Sequence, residues 1–149
     1  MKIGKNFYFF AVKLISCGNF FVWKIYITFA KILNSIKMRT TSEKFFHIKP
    51  ENLNCAQSVL KGFHNELNIE QNEIDDFRAF GGGRAPEGLC GALFAAETLL
   101  AHRGKSSIRA EFAKQAGDIT CFKIKKNAKT SCNQCVKIAD ELLAKKLEI

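Results

Sequence analysis

The sequence lacks an apolar run long enough to cross a membrane. In the apolar N-terminal segment the longest uncharged stretches are Asn6–Val12, Leu14–Trp23 and Ile25–Ala30, whereas a transmembrane helix needs about 20 residues. Acidic residues are absent from residues 1–41, which carry seven of the nine net positive charges of the chain. The remainder is close to neutral and lacks the basic stripe that a nucleic-acid-binding domain needs. We therefore exclude a membrane span and a nucleic-acid partner, and we interpret the later lysine cluster as a solvated face (Lys123, Lys125, Lys126 and Lys129).

Residues 1–37 form an apolar, basic extension ahead of a predicted domain over 38–149. The letters LISC at 14–17 have the shape of a lipoprotein signal, but Lys13 interrupts the apolar region and hydrophobicity resumes after Cys17. Two interpretations remain: a membrane-surface helix over residues 7–33 with snorkelling lysines, or translated upstream sequence before a true start at Met38. We expect the native protein to begin at Met38 and to be cytoplasmic, with membrane contact only if the extension is present. Detection of peptides from residues 14–31 in the natural host would contradict this expectation.

The domain has helical periodicity and lacks strand alternation with turn dipeptides. Apolar residues recur at spacings of three and four from Leu53 to Leu67, and Pro50 and Asn52 are suitable starting residues for this helix. Ser131 and Gln134 form a capping-box pattern at the start of the last helix. The segment Thr120–Lys125 is ambiguous. We predict an all-α bundle of about five helices with short glycine-rich loops, the three middle helices covering about Gln71–Phe80, Glu87–His102 and Ser107–Ala116.

Cysteines carry the chemistry that the sequence suggests. Cys132 and Cys135 form C-x-x-C in the first turn of the last helix, where they face the same side. Cys90 follows the glycine run Gly81–Gly83 and is predicted in the first turn of its helix. A helix N-terminus favours the thiolate, so we predict lowered thiol pKa values at these positions. Taken alone, Cys55 is interpreted as a small buried hydrophobe.

Several specific motifs are missing. The glycine run has P-loop spacing, but Leu89-Cys90 stands where Lys-Ser/Thr would be required. The cysteine spacing is neither the paired C-x2-C of a zinc ribbon nor the C-x2-C-x2-C run of a ferredoxin. Val136 follows Cys135, so the haem-attachment motif C-x-x-C-H is absent, and the βαβ context of thioredoxin is absent too. A metal ion, an iron–sulfur cluster and a dithiol couple all remain consistent with the cysteines.

A set of short motifs resembles the C_GCAxxG_C_C family, whose members are described as redox-active. They are NCAQSVL at 54–60, FGGG at 80–83, G-x-CGA at 88–92, a later Cys121, and CxxCVxxA at 132–139. The resemblance covers about Lys44–Leu147. It implies a metal or cluster site in the four family cysteines, and a related domain in split-Soret cytochromes suggests an iron–sulfur centre; the four map onto Cys55, Cys90, Cys121 and Cys132.

Two features leave details of the site open. Cys135 is a fifth thiol, and the resemblance does not decide whether it replaces or supplements Cys132. The family's CGAxxG motif ends here in Ala95 instead of glycine, and the added methyl group affects how closely another helix packs at that point.

Three functions follow, in order of preference. The first is electron transfer by an iron–sulfur cluster, with [2Fe–2S] the favoured type, held by Cys55, Cys90, Cys121 and Cys132 or Cys135, with N–H groups of Gly81, Gly82 and Gly83 bonding its sulfurs. The second is thiol–disulfide exchange, with Cys132 as the attacking thiolate and Cys135 as the resolving thiol. The third is a zinc-stabilised binding module without a redox role. A fourth possibility is a helical domain whose cysteines are merely buried. The sequence does not decide whether the protein is an enzyme, which redox partner it has, or whether it forms a homodimer.

Overall fold

A computed structural model describes residues 39–128 and 130–149 of the chain. The predicted extension over 1–37, with Cys17 and the candidate start at Met38, lies outside the described residues. Residues 39–149 belong to one compact unit. Within the described ranges no strand forms, and the only β-pairing is two isolated bridges, Phe46 with Leu53 and Leu89 with Thr120. The prediction of an all-α fold is confirmed.

Among the described residues six α-helices make up the bundle, in the order α1 Cys55–Leu67, α2 Gln71–Asp76, α3 Gly91–Ala101, α4 Arg109–Ala116, α5 Cys121–Lys123 and α6 Cys132–Leu147. Short 3-10 segments cover Ser42–Phe45, Phe77–Gly83 and Pro86–Gly88, and a π-helical turn, Ile124–Ala128, continues α5. Helices α1, α3 and α6 pack against one another around the core, while α4 packs mainly on α6. The largest side chains buried completely in this core are Phe63 and Phe112.

The first helix begins later than the sequence suggests. Pro50 and Asn52 lie before it, in the loop closed by the bridge between Phe46 and Leu53. Asn54 is the N-cap: its side-chain oxygen accepts from the N–H groups of Ala56 and Gln57, and the Gln57 side chain accepts from the Asn54 N–H. This capping box fixes the start at Cys55 because it satisfies N–H groups that have no partner within the helix.

The glycine region also differs from the prediction. Helix α2 ends at Asp76 instead of Phe80, and the chain tightens into the 3-10 segment Phe77–Gly83. Its Phe80 packs on Phe94 of α3, with ring centroids 4.7 Å apart. Helix α3 begins at Gly91 instead of Glu87, since Glu87 has a φ of 59°, a left-handed conformation that no α-helix accommodates.

The beginning of the described chain is fastened to α1 and α6 by a buried ion pair. Asp140 of α6 is 3% exposed and accepts from Arg39 Nη1 at 2.8 Å and from the Ser42 backbone N–H at 2.8 Å. The Ser42 hydroxyl also donates to it. Arg39 lies over the ring of Phe63, 3.9 Å from its centroid. The cost of burying the Asp140 carboxylate is therefore offset by four hydrogen bonds, two from the Arg39 guanidinium and two from Ser42.

Candidate functional site

Five cysteines line one small cavity. Its volume is about 20 Å³, which accommodates one water-sized group. Cys55, Cys90 and Cys135 are buried, whereas Cys121 and Cys132 are partly exposed, so the last two lie on the solvent side. All five are free thiols. The lining is completed by Gly82, Ile124, Lys125 and Thr130.

The cavity lies where four helices begin. Cys55, Cys121 and Cys132 are the first residues of α1, α5 and α6, and Cys90 is the N-cap of α3. Cys135 occupies the fourth position of α6. The unpaired N–H groups at a helix start carry a partial positive charge. The cysteine sulfurs therefore lie beside several partial positive charges at once.

Asn54 and the glycine segment bring Cys55 to the cavity. Besides capping α1, the Asn54 amide donates to the carbonyl of Arg78 at 2.9 Å, which ties the helix start to the segment ahead of the glycines. Gly81 packs directly on this cap, because a methyl group there would lie 2.6 Å from the Asn54 side-chain nitrogen. Glycine is thus required at 81 for a close approach.

A backbone bridge places Cys90 beside Cys121. Leu89 pairs with Thr120, and the Cys90 N–H donates to the carbonyl of Ile119 at 2.9 Å. Asp118 fixes the Thr120 side of this bridge by accepting hydrogen bonds from both the N–H and the hydroxyl of Thr120, each at 2.8 Å. Each bridge residue directly precedes one of the two cysteines, so the pairing brings both thiols to the cavity.

The capping box predicted at the last helix is confirmed. Ser131 Oγ accepts from the Gln134 N–H at 3.2 Å, and the Gln134 side chain accepts from the Ser131 N–H at 2.9 Å. The preceding residue, Thr130, donates its hydroxyl to the carbonyl of Ala116 at 3.1 Å, which joins this helix start to the end of α4. Cys132 and Cys135 consequently enter the cavity from a fixed helix end.

The three glycines predicted to approach a cofactor have separate roles. Gly82 lines the cavity, and its backbone N–H partly offsets the rise that burial causes in the pKa of Cys55. Gly83 packs on Cys121, where a methyl group would lie 3.0 Å from the cysteine Cβ. Gly81 packs on Asn54 instead of the sulfurs. A fourth glycine, Gly91, was not singled out: a methyl group there would lie 2.8 Å from the Cys55 sulfur and 2.6 Å from the Phe80 carbonyl oxygen.

The prediction of low thiol pKa values at the helix starts is wrong for Cys90 and Cys132. Burial raises the pKa of Cys132, as it does for Cys55 and Cys121. Repulsion from neighbouring thiolates adds to the rise in all three, while the ammonium of Lys125 opposes it at Cys121 and Cys132. Desolvation disfavours the charged sulfur more strongly here than the helix ends favour it.

Cys90 and Cys135 are neighbouring thiols that shift each other's pKa in opposite directions. Donation of the Cys90 thiol proton to the Cys135 sulfur raises the pKa of Cys90, and burial adds to this. The same hydrogen bond lowers the pKa of Cys135, against the effect of burial. Cys135 is therefore the thiol of this cavity that most readily becomes a thiolate, and Cys90 holds its proton.

The donor chemistry suits a soft metal or an iron–sulfur cluster, since both are bound by thiolates. The cysteine side chains, however, are not arranged as a complete set of metal ligands. Among residues 39–128 and 130–149, no three His, Cys, Asp or Glu side chains are arranged to hold a metal ion. A single zinc ion would need four ligands at about 2.3 Å from one point. The thiols thus share a cavity without forming a ready mononuclear shell.

The fold and cavity define a small helical protein with a cluster of five free thiols at converging helix starts. The model of the "Putative redox-active protein (C_GCAxxG_C_C)" family matches residues 53–148, and the chain belongs to this family. The resemblance drawn from the sequence motifs is thereby confirmed. No curated protein and no solved structure matches the chain.

None of the helices within 39–128 and 130–149 combines the length and the apolar character needed to cross a bilayer.

Proposed function

We propose that this redox-active protein binds an iron–sulfur cluster, with [2Fe–2S] the favoured type, in the cysteine cavity. Cys55, Cys90 and Cys121 are three ligands, and Cys132 or Cys135 is the fourth. Such a cluster supplies one-electron transfer when bound. The observation that carries the proposal is the convergence of all five thiols of the domain on one cavity at the starts of four helices.

Charge supports this assignment. Each cysteine of the cavity experiences repulsion from the thiolate form of at least one other. Several neighbouring thiolates cannot persist together at neutral pH unless a cation neutralises them. Helix starts contribute to this neutralisation, each by about 0.3–1 kcal/mol for a nearby negative charge. Iron supplies the remainder, so cluster binding explains why so many thiols gather here.

Backbone groups of the chain also fit the proposal. Burial raises the pKa of Cys55 and the N–H of Gly82 opposes this rise; the N–H groups of Leu93 and Ala92 likewise oppose the rise at Cys90. Hydrogen bonds of this kind stabilise a metal-bound thiolate and adjust the reduction potential of a cluster. In this proposal the Gly82 N–H bonds the cluster-bound sulfur of Cys55, while Gly81 and Gly83 let Asn54 and Cys121 approach.

The size of the cavity sets one requirement. A [2Fe–2S] core is larger than the single water-sized group that about 20 Å³ accommodates. Cys121 and Cys132 are the partly exposed members of the set, and α5 is only three residues long and runs into a π-helical turn. We expect the solvent-side wall to move outward on cluster binding while Cys55, Cys90 and Cys135 stay in the core.

The experiment is anaerobic purification and reconstitution of the chain and of five single Cys→Ser variants, followed by visible spectra and iron analysis. Loss of the cluster absorption in Cys55→Ser, Cys90→Ser and Cys121→Ser, and in one of the two remaining variants, supports the proposal. Cys17→Ser, at the sixth cysteine, is the matched control and should keep the spectrum. A colourless, iron-free protein that resists reconstitution rules the proposal out.

Thiol–disulfide exchange is the second candidate, and the pair formed by Cys90 and Cys135 favours it. Its form differs from the sequence-based expectation: Cys135, with its lowered pKa, would be the attacking thiolate, because burial raises the pKa of Cys132. Alkylation followed by mass spectrometry separates the candidates. Fast modification of Cys135 in an iron-free protein, with disulfide reductase activity lost in Cys135→Ser, would favour exchange over cluster binding.

A zinc-stabilised module is distinguished by the same metal analysis. One zinc per chain without acid-labile sulfide, and without a spectral change on reduction, would favour it.

A further inference from the structure

The segment that covers the cysteine cavity on the solvent side is basic and carries an exposed aromatic ring. Residues 119–139 contain five lysines and no acidic residue. Phe122, directly after Cys121, is 71% exposed, although large apolar side chains are otherwise mostly buried in the described domain. Lys123, Lys125 and Lys126 are exposed on the same short helical segment. We call the surface formed by Phe122 and these three lysines the mouth surface.

The lysine ammonium groups of the mouth surface are accessible to a binding partner. Lys126 Nζ lies 5.6 Å from the centre of the Phe122 ring, so the charge and the ring are presented together. Lys123 has one carboxylate neighbour, Asp118 at 3.7 Å, and remains 60% exposed. Such exposed pairs are weak and are readily exchanged for carboxylates of another molecule.

The exposure of Phe122 has no structural benefit within the domain. Leaving a phenylalanine side chain in water instead of burying it forgoes about 1.5–3 kcal/mol. The neighbouring apolar residue of the same segment, Ile124, is 2% exposed, so the segment already has its own core anchor. Aromatic rings are enriched in the apolar centres of protein interfaces, which a polar rim surrounds.

We propose that the mouth surface docks an acidic redox protein, with Phe122 inserted in an apolar pocket of the partner and its carboxylates facing the lysines. That the partner is a redox protein rests on the proposed function, because Cys121 and Lys125 belong both to this segment and to the cavity lining. Docking here brings the partner to the partly exposed thiols, the side on which the cavity is closest to solvent.

Two other classes of partner fit less well. A membrane-surface helix presents a continuous apolar face, whereas here Phe122 is the single exposed apolar side chain between lysines and Ile124 faces the core. A single-stranded nucleic acid is bound by several stacking rings along a groove, and the mouth surface offers one. A protein pocket that accepts one ring matches the observation best.

The test uses the full chain and an acidic plant-type [2Fe–2S] ferredoxin as the probe, with binding followed by fluorescence anisotropy under reducing, anaerobic conditions. We expect micromolar binding at about 20 mM salt that weakens strongly at about 200 mM salt, as charge attraction is screened. Phe122→Ser should weaken binding about tenfold or more. The double variant Lys123→Gln/Lys126→Gln should weaken it about threefold or more at low salt. Lys125 is left intact because it lines the cavity.

Matched controls lie at the opposite end of the bundle. Ile149 is 52% exposed and follows the C-terminal end of α6. Lys105 follows the C-terminal end of α3, which lies about 16 Å along the helix from Cys90. Ile149→Ser and Lys105→Gln should leave binding unchanged. Equal effects of both sets of variants, or no ferredoxin binding at low salt, would overturn the proposal.

Two further measurements keep the outcomes distinct. Binding to vesicles containing phosphatidylserine, or to a single-stranded RNA, that depends on Phe122 while ferredoxin does not bind would also overturn it. A protein that takes up no iron on reconstitution but still binds ferredoxin through Phe122 contradicts the iron–sulfur proposal and supports the mouth surface. Iron-loaded protein whose ferredoxin binding is indifferent to Phe122 contradicts only the mouth surface.

Discussion

Gly91, the first residue of α3, lets this helix approach Cys55 in the cysteine cavity, and its replacement by alanine tests this packing directly. Alanine is a better helix former than glycine by up to about 1 kcal/mol, and Gly91 opens α3 without a left-handed φ. Helix propensity alone therefore predicts a more stable protein. The cavity geometry predicts the reverse.

The magnitude follows from two contacts. The added methyl group would lie 2.6 Å from the carbonyl oxygen of Phe80 and 2.8 Å from the sulfur of Cys55, against about 3.4 Å for ordinary contact. The Phe80 oxygen belongs to the backbone and the Cys55 side chain is buried in the core, so neither neighbour moves easily. Overpacking of this kind costs about 1–3 kcal/mol, and helix propensity offsets part of it. We expect Gly91→Ala to lower the free energy of unfolding by about 1–2 kcal/mol.

The assay is urea denaturation of the reduced, metal-free protein, followed by iron loading. Gly104→Ala is the matched control: a methyl group there meets nothing within 4 Å, and the φ of 61° alone costs about 1–2 kcal/mol. Both variants should lose similar stability, but only Gly91→Ala should lose iron loading, because only Gly91 contacts a cysteine sulfur. A Gly91→Ala protein that is more stable than the parent and loads iron normally would refute the reasoning.

Three further predictions concern the supports of the site. Asp140→Ala should lower the free energy of unfolding by about 3–5 kcal/mol, since Arg39, whose side chain is only 13% exposed, would lose its carboxylate partner; urea denaturation measures this, and a loss below about 1 kcal/mol would contradict it. Asn54→Ala should cost about 1–2 kcal/mol through loss of the cap of α1, with a weaker cluster signal after reconstitution as a second readout. The free energy of unfolding of the metal-free, reduced protein should fall as pH rises above about 9. Four of the cavity thiols have raised pKa values in the folded state, so they bind their protons more tightly there than in the unfolded chain. The double variant Cys121→Ser/Cys132→Ser should show a smaller loss over the same range, and a stability that increases above pH 9 would contradict the assignment.

Local signals in the sequence predicted local structure well. Ser131 and Gln134 lie three residues apart, so their capping box needs no distant partner, and the start of α6 was predicted correctly. Gly117 ends α4 with a φ of 90°, as a glycine after a helical stretch suggests. Asn54 carried an equally local signal, because Gln57 stands three residues later, but Pro50 and Asn52 were preferred as starting residues.

The convergence of the thiols depends on contacts between distant parts of the chain. Cys121 reaches Cys90 through the bridge between Leu89 and Thr120, and no periodicity or spacing indicates that pairing. The pKa of Cys132 was predicted with the wrong sign because a helix start is a local property, whereas burial among other thiols depends on the whole fold. For Cys55 and Cys121, family motifs supplied what single-sequence physics could not.

The composition of the purified protein tests the central claim most directly. Protein isolated without oxygen should contain iron and acid-labile sulfide in equal amounts, about two of each per chain for a [2Fe–2S] cluster, and its visible absorption should fall on reduction with dithionite. Protein that contains neither iron nor sulfide and takes up neither on reconstitution, with its five cavity thiols still titrating as free thiols, would contradict the claim.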